Sequence, residues 1–134
     1  MNNELRGISG INLLVNDYQQ ALDFYCKQLG FIELEHSDLG DGNKWIKLNA
    51  SAEQPLVGLI LSKAKTDEEK QLVGKQAGEG VLMILQTANF DISYRRLKEN
   101  GINFIEQPRN EPYGKVAIFK DLYGNKWDLI EPAF

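Results

Sequence analysis

The sequence predicts an α+β fold built from two βαβββ modules in tandem. Three observations carry that expectation. INLLVNDYQQALDFYCKQLGF (residues 11–31) and MILQTANFDISYRRLKENGINF (residues 83–104) lie about seventy residues apart and read alike. Each is an apolar strand, an Asp or Asn, a helical pattern, a Gly and a second strand. Each is then followed by short apolar runs separated by turn residues, and a polar, glycine-bearing connector (residues 63–79) separates the two halves.

The elements follow in order. Residues 8–15 read as a strand. Asp17 is a good N-cap, because its carboxylate accepts from the free amides of a first helical turn. Ala21, Leu22, Tyr25 and Leu29 recur at helical spacing, and Gly30 suits the position just past a helix end. Residues 31–36 form the next strand. DLGDGN (residues 38–43) is dense in turn residues and predicts a hairpin into a strand at 44–49. Residues 56–62 give the fourth strand. In the connector, Thr66 and Glu69 have capping-box spacing, so a helical turn begins there. The rest reads either as a solvated linker or as a segment that closes over a pocket.

The second module repeats the pattern. Residues 81–87 are a strand, Asn89 is the cap, and Ile92, Tyr94 and Leu97 are spaced for a helix packed on one side and ended by Gly101. Residues 102–106 form a strand. Pro108, Pro112 and Gly114 mark an irregular loop. Residues 115–120 and 126–131 are strands joined by the tight turn DLYGN.

Composition narrows the function. At 134 residues the chain is one domain's worth and able to bury an ordinary core. A net charge of −4 and a pI near 5.0 argue against nucleic acid, which is bound through a basic face. Cys26 is the one cysteine, so no intrachain disulfide or thiolate cluster forms. It reads as an inert buried thiol, since a nucleophile needs a base beside it. The polar start MNNELRG carries no signal peptide and no apolar run reaches membrane-spanning length, so no membrane association and a cytoplasmic location are expected.

VNDYQQALDFYCKQLGF (residues 15–31), RRLKENGINF (residues 95–104) and DLYGNKWDLIEP (residues 121–132) together resemble the glyoxalase/bleomycin-resistance/dioxygenase superfamily, also called vicinal oxygen chelate. The resemblance spans essentially the whole chain. It implies a single domain (1–134, module one about 7–63, module two about 80–132) whose modules form a curled mixed sheet around a cavity, often within a homodimer. It also implies where metal ligands would stand. The family places a His seven residues before each helix-capping residue, which here gives Gly10 and Leu82. The strand at 56–62 offers no carboxylate or imidazole. The family's Glu after the DxxGN turn is Asp128. One carboxylate of four positions does not hold a first-row divalent metal, which wants three or more protein donors. His36 is at none of these positions. No metal and no other cofactor are therefore expected. Glyoxalase, dioxygenase and thiol-transfer chemistries, which lean on the metal, are put in doubt.

Strand alternation assigns faces. Family analogy turns position 10 inward, so Ile8, Asn12 and Leu14 share its face. Position 128 is inward with Lys126 and Ile130, which sends Trp127 and Leu129 under a helix and leaves Glu131 solvated. Trp45 and Lys47 share one face and Ile46 and Leu48 the other, and a pocket suits the tryptophan better than open water. The face of Phe119 is not fixed by alternation. Arg109 and Tyr113 lie in a loop of the kind that rims sites. The expected ligand-binding residues are Trp45, Lys47, Asn12, Arg109, Tyr113, Phe119 and Asp128. Asp128 reads equally as general base, as partner of a cationic ligand group, or as a structural ion-pair member. Three functions compete: a metal-free small-molecule-binding protein sequestering a drug or metabolite, a glyoxalase-like lyase, isomerase or dioxygenase with an atypical or absent metal site, and a partner-binding module whose cavity is vestigial.

Overall fold

The computed structural model describes residues 4–53 and 57–134. The chain divides into two compact units, residues 1–66 and 67–134. The division falls inside the connector, whose helical turn belongs to the second unit.

In the first unit, β1 (Gly10–Val15) leads into helix α1 (Tyr18–Leu22). Asp17 caps it in extended conformation, its carboxylate accepting from Gln20 N at 2.8 Å. The helix then widens into a π-helical stretch, Asp23–Gln28, closed by Leu29 N donating to Phe24 O at 2.9 Å. Widening the turn lets the neighbouring rings of Phe24 and Tyr25 both be buried, edge to face at 4.9 Å. A plain helical count does not anticipate that.

Strands β2 (Ile32–Gly40), β3 (Asn43–Asn49) and β4 (Gly58–Lys63) complete a sheet of order β1-β4-β3-β2, with β1 parallel to β4 and the other pairings antiparallel. The hairpin turns at Asp41 and Gly42, both at positive φ, as a primed two-residue turn requires. β1 starts at Gly10, and exposed Ile8 precedes it. The start of the fourth strand at Leu56 lies outside the described residues. Leu13, Val15, Ile46, Leu48, Leu59 and Leu61 are buried, together with Ala21, Tyr25 and Leu29 of the helical segment.

In the second unit, α2 (Asp67–Leu72) opens a connector held against its own module. Lys126 Nζ donates to Glu79 O at 2.9 Å. Strand β5 (Val81–Gln86) precedes α3 (Phe90–Glu99), where Asn89 Oδ1 accepts from Ile92 N at 3.1 Å. Short β6 (Asn103–Phe104) and β7 (Arg109–Glu111) both pair with β8 (Gly114–Lys120), which pairs with β9 (Lys126–Pro132). The sheet order is β5-β9-β8-β6, with β5 parallel to β9. Rings of Phe90, Tyr94, Phe104, Phe119 and Trp127 follow one another through this core, each within 6.0 Å of the next.

Three expectations change here. Ile92 is 63% exposed, and Phe90 and Leu97 are the buried anchors of α3. The segment expected as an irregular loop contains β7, because Arg109, Asn110 and Glu111 form a hairpin ladder with β8. Glu131 is not a free surface carboxylate: its Oε1 accepts from Phe90 N at 2.7 Å and helps cap α3. The sequence-predicted α+β class of tandem modules holds, and neither sheet closes into a barrel. Among the described residues no helix is long and apolar enough to cross a membrane.

Candidate functional site

The DLYGN turn sets the start of β9. Asp121 Oδ1 accepts from Tyr123 N and Asn125 N, both at 2.9 Å, and Asp121 Oδ2 accepts from Asn125 Nδ2 at 2.8 Å. Asp121 and Asn125 are both buried, so the pair acts as an internal clip. The chain leaves it as β9 with fixed alternation. Trp127 and Leu129 enter the core, while Lys126, Asp128 and Ile130 take the opposite face, turned away from α3.

On that face Asp128 stands between Ile84 of β5 and Ile118 of β8. Ile84 is 68% exposed. One carboxylate oxygen of Asp128, Oδ1, is shielded from water and has no hydrogen-bond partner among the described residues. Burial pushes the carboxyl up from its ordinary range; nearby Arg109 pulls it down and Glu106 pushes it up.

Arg109 pairs with Val116, and Val116 with Ile130, which puts Arg109 on the Asp128 face. Its guanidinium is clamped: Nε donates to Glu106 Oε1 at 3.1 Å and Nη1 to Glu111 Oε1 at 2.9 Å. Those bonds, Glu106 first, with Tyr113 adding another, hold it charged beyond its ordinary value. Glu106 Oε1 also accepts from Ile118 N at 3.1 Å, so the clamp is tied to the strand beside Asp128. Three carboxylates thus face one guanidinium. Glu106 is a second carboxylate near Asp128 that the sequence did not place there. It ends the strand expected at 102–106, and the pairing of β6 with β8, continued by Ile105 N donating to Ile118 O at 2.9 Å, brings it beside Ile118.

The first unit carries a second polar group on the sheet face away from α1. Trp45 Nε1 donates to Glu35 Oε1 at 3.0 Å, and Lys47 Nζ lies 3.5 Å from Glu35 Oε2. Lys47 is only 5% exposed, its stem laid across Gly58, where a Cβ would come within 2.5 Å of Lys47 Cγ. Trp45 is 39% exposed. Asn12 lies on the same face, level with Ile60 and Lys47, and accepts from Ser62 Oγ at 3.2 Å. Glu35 is the residue missed here; strand pairing with Lys47 was the available signal.

Of the expected ligand-binding residues, Asn12, Trp45 and Lys47 share one sheet face, and Asp128 and Arg109 share another, with Tyr113 bonded to Arg109. Phe119 departs from expectation. It is fully buried between Phe104 and Trp127, on the core side of β8, where it supports the sheet and reaches no open face.

The positions that would hold the metal do not fit one. Gly10 has no donor, and a Cβ there would lie 2.8 Å from Ile60 Cγ1. Leu82 is apolar. In β4 Ser62 is already bonded to Asn12. His36 pairs with Glu33 at 2.8 Å and is level with Ile46, on the face opposite Gly10. Among the described residues, no three His, Cys, Asp or Glu side chains are placed to share an ion. Cys26 lines a groove of about 570 Å³ with Glu33 and His36, but burial, then Glu33, push its thiol up, away from the reactive thiolate.

The sequence model of the Glyoxalase/Bleomycin resistance protein/Dioxygenase superfamily matches residues 7–129. The chain belongs to this superfamily. An uncharacterized relative from Shewanella frigidimarina (strain NCIMB 400) is 38% identical over 127 residues, covering 94% of this chain and 93% of that protein. The crystal structure of UcmS2 superposes with a TM-score of 0.81 at 25% identity, covering 95% of this chain and 99% of that one. TnmS3, an antibiotic binding protein from Streptomyces sp. CB03234, superposes with a TM-score of 0.77 at 25% identity, covering 98% and 100%.

Proposed function

We propose that this superfamily member is a small-molecule-binding protein that holds its ligand without a metal and sequesters a drug or metabolite. The observation that carries the reading is the Asp128 carboxylate. It keeps a water-shielded oxygen without a protein partner, on the face turned away from α3, beside a fixed guanidinium and exposed Ile84. A buried acceptor left unpaired costs about 1–3 kcal/mol, and a ligand donor relieves that cost. The similarity to TnmS3, itself antibiotic-binding, supports the same reading. The group around Trp45, Lys47 and Asn12 is a second candidate contact surface. The expected state is a cytoplasmic homodimer with no nucleic-acid partner.

Native mass spectrometry of protein purified without added metal tests this. A co-purified organic molecule, or quenching of Trp45 fluorescence by added amphipathic ligands, is the expected result. A bound stoichiometric metal ion and no organic ligand would reject it. A second reading, a metal-free acid–base isomerase, is favoured by Glu106 lying close enough to Asp128 to raise its carboxyl. It is weakened because Glu106 is already engaged by Arg109 and Ile118.

A further inference from the structure

We infer that the Asp128 face selects ligands carrying a cationic N–H donor, and that Glu106 is the positioning residue that keeps Arg109 from occupying Asp128 itself. The inference rests on the binding reading above and adds the ligand class and the device that keeps the site available.

The geometry supplies both halves. Asp128 offers an acceptor oxygen with no partner among the described residues. The charges on this face are the carboxylates Asp128, Glu106 and Glu111 and the cations Arg109, Lys120 and Lys126, of which Lys126 is turned to Glu79 O. At that oxygen an anion finds no donor, a neutral donor gains one hydrogen bond, and an ammonium or protonated ring nitrogen gains a charge-assisted one. Arg109 is the natural competitor, since its positive charge is already felt at Asp128. It does not pair with that oxygen because two other carboxylates hold it. Glu106 takes Nε and Glu111 takes Nη1, and Glu106 is itself pinned by the amide of Ile118, the residue directly level with Asp128. Releasing the clamp frees a fork-shaped cation on a flexible stem beside an unsatisfied carboxylate. The site then closes on itself.

This makes a prediction of opposite signs. Arg109 repels a cationic ligand as well as competing with it. Arg109→Gln therefore strengthens cation binding, and Glu106→Gln weakens it. If the clamp served only to support the fold, both changes would weaken binding together.

Three planar probes of similar size test the class: 9-aminoacridine as cation, acridine as neutral ring and anthracene-9-carboxylate as anion, titrated calorimetrically at neutral pH. Wild-type protein is expected to bind them in that order of decreasing affinity. Asp128→Asn should lower 9-aminoacridine affinity about tenfold or more while leaving acridine nearly unchanged, the size expected of one charge-assisted bond. Glu106→Gln should shrink the cation-to-neutral ratio, and Glu106→Gln with Arg109→Gln should restore it. The ratio is read within each variant, so a partial loss of folded protein does not mimic the effect. Equal binding of cation and neutral probe, or an unchanged ratio in Asp128→Asn and Glu106→Gln, would overturn the inference and leave the binding reading standing. No binding of any probe at millimolar concentration would overturn both.

Discussion

Asp128 carries a cost in the unliganded protein. Its carboxyl is raised first by burial and then by Glu106, with Arg109 pulling the other way. The native state therefore holds its proton more tightly than the unfolded chain does. A raised carboxyl leaves stability untouched below the unfolded value and lowers it as pH climbs through the folded value. Asp128→Asn, neutral throughout, should melt higher than wild type at pH 7, and that gain should vanish near pH 3. With partial exposure discounting the penalty for an unpaired oxygen, the gain is about 1 kcal/mol, or a few degrees in melting temperature. An equal gain at both pH values would show that charge is not its source. Glu131 is the converse case, a carboxylate with a backbone partner. Losing its bond to Phe90 N should cost about 1 kcal/mol in Glu131→Ala, with Glu131→Gln milder because it keeps an oxygen. Urea denaturation of the two variants separates them, and equal losses would remove the capping role.

The connector shows how an element is held by one close approach. Gly74 sits at φ +79°, and a Cβ there would lie 2.1 Å from Tyr123 O, in the turn before β9. Gly78 also has positive φ, +64°, but nothing within 4 Å of its Cβ position. Gly78→Ala should cost only backbone strain, about 1 kcal/mol. Gly74→Ala must also lift the connector off the turn, so cleavage between residues 64 and 80 under limited proteolysis should accelerate for that variant alone. Equal cleavage in both would mean the contact does not hold the segment. Elements written in local chemistry were the legible ones. Asp17 and Asn89 cap their helices, Asp41 and Gly42 make their turn, and the Trp127–Leu129 face is buried as alternation requires. The rest depends on distant residues. The π-helical stretch answers to packing of Phe24 and Tyr25, which periodicity does not encode. β7 exists because β8 offers it a partner. Glu106 and Glu35 join their clusters through strand pairing across many residues, so the site was half visible: the acceptor Asp128 could be placed by motif, and the groups that tune it could not.

At the scale of the whole molecule, superfamily membership does not by itself carry the family's metal ligands. The fold is carried by apolar alternation, caps and the Asp121–Asn125 clip, none of which requires an ion. The same positions that supply donors in metal-dependent relatives here hold Gly10, packed against Ile60, and Leu82. The proposed homodimer adds a second test of assembly: sedimentation should give a dimer at micromolar concentration, and a concentration-independent monomer would reject it. The metal prediction is sharper. A ligand that binds only the native state raises stability in proportion to the logarithm of its occupancy, so a resident ion would show itself in the melting curve. Chelation should leave the melting temperature unchanged, and zinc, nickel or manganese added at tens of micromolar should not raise it. A fall of several degrees on chelation, restored by one of these ions, would mean that donors other than Gly10, Leu82 and Asp128 assemble a site. Restoring the family donor by Gly10→His should not rescue metal binding either. The new side chain must first displace Ile60, and it would supply one imidazole where three donors are needed.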